Sequence, residues 1–145
     1  MKIAFGCDPN ATQFKDDLMT FAKSLGHECT DYGSDDPIYA NVAVKVAREV
    51  AARDFDRGIL LCGTGIGMAI AANKIKGAYA ANISNVYQAE RAQLSNNANI
   101  ITLGSQVMGI ELAKALVRTY LANTYDPKSR SHAKVLRICQ YEGED

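Results

Sequence analysis

Short unbroken runs of apolar residues alternate along this chain with longer stretches in which apolar side chains recur every three or four positions. Runs of that length suit strands and the recurrence suits helices, so the pattern predicts a regular alternation of the two. Strands are predicted over Lys2 to Cys7, His27 to Tyr32, Gly58 to Cys62, Ala78 to Ile83 and Asn99 to Leu103. Between them the helical spacing runs over Gln13 to Leu25, stopped by Gly26, and over Ile38 to Arg53, with Val42, Val46, Ala47 and Val50 as its apolar stripe. Further helices are predicted in the Ala-rich stretch Ala69 to Lys74, over Val86 to Leu94, over Met108 to Ala122 and over Ser129 to Tyr141, with Glu142 to Asp145 expected to fray.

Strands that alternate with helices form right-handed βαβ units, which gives a parallel sheet with helices on both faces. The expected architecture is a single α/β domain spanning residues 1–145, with a five-stranded parallel sheet and a C-terminal helix. In open sheets of this kind the site lies beyond the carboxyl ends of the strands. Asp8, Gly33 to Asp36, Cys62 to Gly67, Ser84 and Ser105 all fall at those ends.

Charge removes several classes of partner. Sixteen Lys and Arg balance 16 Asp and Glu, so no overall field draws the chain to nucleic acid or to an anionic membrane. No apolar run approaches the ~20 residues of a membrane span, and the N-terminus reads as a strand rather than a leader. Cysteines 7, 29, 62 and 139 form no C-x-x-C pair, which points to a reducing, cytoplasmic setting without disulfides. His27 and His132 lack ligand partners at metal spacing, so no metal is assigned.

The chemistry concentrates in Gly58-Ile59-Leu60-Leu61-Cys62-Gly63-Thr64-Gly65-Ile66-Gly67-Met68. An apolar strand ends in a thiol, glycines permit a tight turn, and the following helix offers unpaired N–H groups and the positive end of its dipole. Such a turn suits an anion or oxyanion, and it makes Cys62 a candidate nucleophile or base, against the alternative of a small apolar residue closing a buried strand. The spacing matches neither a dinucleotide fingerprint nor a P-loop. Asp8 reads as a group that orients hydroxyls or moves protons, or as a turn residue. Ser95, Asn96 and Asn97 offer uncharged donors to an enolate oxygen, or shape a turn. Arg130, Lys134 and Arg137 recur on one helix face, which suits a phosphate or simply a solvated surface.

Lys2-Ile3-Ala4-Phe5-Gly6-Cys7-Asp8, the Cys62-Gly63-Thr64-Gly65-Ile66-Gly67 loop and the Ala71-Ala72-Asn73-Lys74 that follows it resemble the ribose-5-phosphate isomerase B and galactose-6-phosphate isomerase family. Leu103-Gly104-Ser105 and Gly109 to Lys114 extend the resemblance over nearly the whole chain. The resemblance implies a Rossmann-like three-layer α/β/α subunit, a homodimer or tetramer with sites between subunits, and cofactor-free aldose–ketose isomerisation of a phosphorylated sugar. It makes Cys62 the base that moves a proton through a cis-enediolate, with Thr64 and Asp8 as the other catalytic residues. Gly63, Gly65, Ile66 and Gly67 are then expected to hold the oxyanion, joined by Ser95 and Asn96, and Arg130 and Lys134 to grip the phosphate.

The chain departs from the ribose isomerases at informative places. Asp8-Pro9 stands where they carry Asp-His, and Ser95-Asn96 where they carry His-Asn. Asp36 replaces a Tyr before Pro37, and Gln106 replaces an Arg after Gly104-Ser105. Ribose 5-phosphate is the family's default substrate. The Ser95-Asn96 pattern is similar to erythrulose-phosphate isomerases, and a tetrulose 4-phosphate, a hexose 6-phosphate or a non-catalytic subunit role are the alternatives.

Overall fold

A computed structural model describes residues 1–143. Five parallel strands form one sheet in the order β2-β1-β3-β5-β4: β1 is Lys2–Cys7, β2 Glu28–Asp31, β3 Arg57–Cys62, β4 Ala80–Asn82 and β5 Ile100–Gly104. The helices are α1 Thr12–Ser24, α2 Tyr39–Ala51, α3 Ile66–Ala72, α4 Val86–Leu94, α5 Ile110–Ala122 and α6 His132–Tyr141. No helix among the described residues is long and apolar enough to cross a membrane.

Central position and burial explain why β3 is apolar from Gly58 onward: it pairs with β1 and β5, and all six of its residues, Arg57 at its start included, are buried. Alternation divides its side chains between two cores. Ile59 and Leu61 join Ile3, Phe5, Ile101 and Leu103 under α1, α4 and α5, while Leu60 and Cys62 join Ala4 under α2 and α3. The second face is built from small residues. A side chain at Gly58 would sit 3.0 Å from Val46, and one at Gly6 would overlap Val42, so these glycines let α2 lie close to the sheet.

Two asparagines near the β4 edge do the work of backbone. Asn73, at the end of α3, accepts from the Ala80 N–H at 2.8 Å and donates to the Ala80 carbonyl at 2.9 Å. Asn99 treats Tyr79 N–H and the Gly77 carbonyl in the same way, at 2.8 and 2.9 Å. The asparagine of the Ala-Ala-Asn-Lys stretch thus stitches α3 to β4. These clasps also explain why β4 is only Ala80–Asn82, shorter than its apolar run implies.

Three other expectations are corrected. The third helix begins at Ile66, directly after the glycine turn, rather than at Ala69, and the last begins at His132 rather than Ser129. Glu142 is not frayed: its carboxylate accepts from Gly77 N–H and from the Tyr79 hydroxyl. Glu144 and Asp145, also expected to fray, lie outside the described residues.

Lys15 is the buried cation of the structure's first helix, 1% exposed and 2.7 Å from the Asp31 carboxylate. Burial disfavours its charged form, but the hydrogen bond and charge of Asp31 outweigh this and hold its pKa above the ordinary lysine value. A raised pKa in the folded state means the pair's contribution is complete below pH 10.5 and is lost as pH climbs through the folded value. Lys15→Met, which keeps the aliphatic stem, is expected to cost about 1–3 kcal/mol at neutral pH. Denaturant unfolding from pH 7 to 11 is expected to show a smaller alkaline loss in the variant than in the parent.

Candidate active site

Cys62 ends β3 on the α2/α3 face of the sheet and is 5% exposed. Gly65 takes a left-handed conformation, φ +80°, which aims its N–H at the Cys62 Sγ at 3.1 Å. A side chain at Gly65 would lie 2.9 Å from the Leu103 carbonyl carbon and would overlap Asn82 Oδ1, so position 65 tolerates only glycine. Gly104 is needed for the same reason from the other side, since a side chain there would come within 2.7 Å of the Thr64 backbone. Ser105 N–H to the Cys62 carbonyl, 2.9 Å, and Gln106 N–H to that of Gly63, 3.0 Å, lock the two strand ends together.

The glycine loop is not a uniform cradle. Gly65 N–H is committed to sulfur and Ile66 N–H to Thr64 Oγ1 at 3.2 Å. Gly67 and Met68, in the first turn of α3, have N–H groups with no partner inside the helix. The N–H groups of Gly67 and Met68 are thus open to a ligand, and those of Gly65 and Ile66 are engaged. Thr64, accepting from Ile66, keeps its own hydroxyl proton free to donate.

The other cysteine beside the loop has a different chemistry. Burial pushes the Cys7 thiol up to about 11, despite the opposing charge of Lys15. Cys7 faces the core under α1 and serves as packing.

Asp8 lies beside Cys62, because β1 and β3 are in register at Cys7 and Leu61 and Asp8 N–H donates to the Leu61 carbonyl. Its carboxylate is 9% exposed and accepts from Asn10 N–H at 3.0 Å, so it also caps the turn that follows. Asp36 accepts from Asn41 Nδ2 and from Ile38 N–H, both at 2.8 Å, and these bonds hold its carboxyl below the usual range. Two neighbours of the loop escaped the sequence reading. Tyr39, first in α2, lays its ring where a side chain on Gly67 would go, and Asn82 stands against Gly65. Tyr39 had a signal, since it follows the acidic loop at the carboxyl end of β2; Asn82 had none, because register alone brings it to the turn.

Within one chain the remaining candidates do not join this cluster. Ser95 and Asn96 precede β5, at the opposite end of the sheet from the Cys62–Gly104 pair. Ser95 Oγ accepts from Arg91 Nε at 2.6 Å, and Asn96 lies with Asn73, Tyr79 and Ala80. The helix α6 is at that same end, its Ile138 beside Asn96 and its Cys139 lining a cavity of about 490 Å³ with Tyr79 and Asn99. Arg130, in the turn before α6, and Lys134, in its first turn, are both exposed, and no hydrogen bond or ion pair among the described residues links either to the thiol loop.

This sequence is 50% identical to the ribose-5-P isomerase B of Listeria innocua over 93% of each chain. It is 43% identical to D-erythrulose-4-phosphate isomerase 2 of Mycolicibacterium smegmatis, over 99% of this chain and 98% of that one. Its fold is similar to the crystal structure of ribose-5-phosphate isomerase B from Mycoplasma genitalium with bound ribulose-5-phosphate: TM-score 0.92, 30% identity, 99% of this chain and 97% of that one. The family model described as Ribose/Galactose Isomerase matches residues 3–138. Together with the thiol-and-glycine turn at the carboxyl end of β3, these matches show that the chain belongs to the ribose/galactose isomerase family.

Proposed function

We propose that the protein is a cofactor-independent aldose–ketose isomerase of a sugar phosphate, with Cys62 as the base. The observation that carries this reading is the Gly65 N–H on the Cys62 sulfur at the carboxyl end of the central strand. The thiolate takes the proton from the carbon beside the carbonyl. The resulting cis-enediolate oxygen is held by Gly67 and Met68 N–H, and the thiol returns the proton to the adjacent carbon. Thr64 relays the hydroxyl proton between the two oxygens, and Asp8 orients the substrate hydroxyls. The oxidation levels of the two carbons exchange within one molecule, so the balance needs no external oxidant or reductant.

The site is completed by a second copy of the chain. Asp8, Asp31, Asp35 and Asp36 crowd the carboxyl end of the sheet, and the buried Lys15 is already paired with Asp31. Lys45 beside this acidic loop lies over the Tyr32 ring at 5.4 Å, among those carboxylates, so a phosphate dianion there calls for further cations. Arg130 and Lys134, exposed at the far end, serve the partner's site, and Asn96 from the same end supplies a donor for its oxyanion. Ser95, held by Arg91, stands beside it.

The substrate is read from the imidazoles. The chain has two histidines; His27 lies by the N-terminal ammonium at 3.2 Å, and His132 shares a hydrogen bond with the Tyr125 hydroxyl at 2.8 Å. Within one chain neither stands at Cys62, and His132, which would approach the partner's site with Arg130 and Lys134, has its Nδ1 engaged by the Tyr125 hydroxyl. A tetrulose 4-phosphate has no free hydroxyl with which to close such a ring, so it needs no ring-opening group. This supports erythrulose 4-phosphate, the substrate class in the name of the Mycolicibacterium relative. The Listeria relative favours the second reading, ribose 5-phosphate.

Initial rates on four-, five- and six-carbon sugar phosphates test the choice: kcat/KM for erythrulose 4-phosphate is expected to exceed that for ribose 5-phosphate by about tenfold or more. The reverse order would establish the ribose reading. Cys62→Ala is expected to keep the fold, by circular dichroism, and lose turnover by about a thousandfold or more. Turnover close to that of the parent would remove the thiolate from the mechanism. Arg130→Ala is expected to raise KM by about tenfold with little change in kcat. Oligomers reassembled from Cys62→Ala and Arg130→Ala subunits are expected to show a low-KM activity that neither parent has; its failure to appear would place both residues in the site of a single chain.

A further inference from the structure

The helix that carries Lys134, and follows Arg130, is sparingly attached to the body of its own chain. Val135 is its one buried residue, while Leu136, Ile138 and Tyr141 are 47–57% exposed. A helix held so loosely by packing depends on its end contacts for its position. At the leading end the Tyr125 hydroxyl meets His132 Nδ1 at 2.8 Å, and Tyr125 N–H donates to Gln93 Oε1 at 3.0 Å. At the trailing end, directly after α6, Glu142 makes two bonds to the loop that enters β4. Its Oε1 accepts from Gly77 N–H at 2.9 Å, and its Oε2 accepts from the Tyr79 hydroxyl at 2.8 Å.

That receiving loop is rigid. Gly77 is held in the left-handed region, φ +88°, and both Gly77 and Tyr79 are clasped by Asn99. Burial, with the nearby Cys139 thiol and Glu142 itself, raises the Tyr79 hydroxyl pKa far above its ordinary value, so it remains a donor at any working pH. Carboxylate and loop form a fixed two-point clamp between the end of α6 and the sheet.

We propose that Glu142 is a positioning residue: by clamping the end of α6 to Gly77 and Tyr79 it sets the reach of Arg130 and Lys134 toward the phosphate in the partner's site. This rests on the reading that those two side chains grip the phosphate. Glu142 touches no reacting atom. Its removal leaves α6 held at its leading end by the Tyr125–His132 contact, so the helix axis is free to turn there and the direction in which Lys134 and the adjoining Arg130 extend is no longer fixed; the grip weakens while the thiol chemistry continues.

The test compares Glu142→Ala, Glu142→Gln, Tyr79→Phe and Arg130→Ala, with kcat and KM measured on whichever sugar phosphate the parent turns over and melting temperature measured for each. Glu142→Ala is expected to raise KM about five- to tenfold, with kcat within about twofold, the scale of two lost hydrogen bonds. Tyr79→Phe, which keeps the ring and Gly77 contact, is expected to give a smaller rise in KM. Glu142→Gln, whose amide still accepts from Gly77, is expected to recover at least half of the effect of Glu142→Ala on a logarithmic scale. An unchanged KM in Glu142→Ala beside a raised KM in Arg130→Ala would overturn the clamp and leave the phosphate reading standing. A fall in kcat that tracks the fall in melting temperature, with KM unmoved, would overturn it as well by making Glu142 a stabilising residue only. An unchanged KM in Arg130→Ala would overturn the phosphate reading itself, and the clamp's role with it.

Discussion

The left-handed turn at Gly65 is the constraint on which the candidate site depends. One backbone conformation places an N–H on the Cys62 sulfur, starts α3 at the next residue and leaves the N–H groups of Gly67 and Met68 without intrahelical partners. The turn has no freedom to be otherwise, because Leu103 and Asn82 fill the space where any side chain at position 65 would go and the Thr64 backbone fills the space at Gly104. Paired strand ends therefore hold the reacting group, and the sheet serves as the rigid support from which a preorganised site draws its precision.

The architecture was legible because periodicity and burial agree. β3 is buried at every position and apolar at every position after Arg57, and the helical stripe of Val42, Val46 and Val50 is the stripe that meets Gly58 and Gly6. The thiol loop was legible for a local reason: strand, turn and helix start are contiguous in the chain. What escaped the sequence depends on contacts between distant segments. Asn73 and Asn99 read as polar punctuation, yet each clasps backbone of the β4 edge. Glu142 read as part of a frayed end because nothing in its neighbours reveals the N–H and hydroxyl that await it 63–65 residues earlier. Resemblance named Asn96, Arg130 and Lys134, and the register of β5, with α6 beside Asn96, reveals that in one chain they stand at the opposite end of the sheet from Cys62.

That separation gives an economical account of how the two ends of the fold divide the labour. A base that carries negative charge is stabilised by cations and destabilised by further anions at close range; this chain places Asp8 beside Cys62 and engages Asp36 with Ile38 N–H and Asn41 Nδ2 at the start of α2. Those two bonds order the acidic loop and keep its Asp36 carboxylate ionised. Arg130 and Lys134, the cations proposed for the phosphate, are kept at the other end. In the proposed assembly they arrive at the thiol only with a second subunit, so a lone chain holds the proton-transfer machinery without the grip that gives it a substrate. The position of α6 then matters more than its stability. A guanidinium displaced by a fraction of its bond length loses directional contact with phosphate, whereas the fold loses little, since one buried valine and a few hydrogen bonds are all that α6 contributes to its own chain. An anchor such as Glu142 is useful in this arrangement because a helix with few packing contacts within its own chain depends on its end contacts for its register.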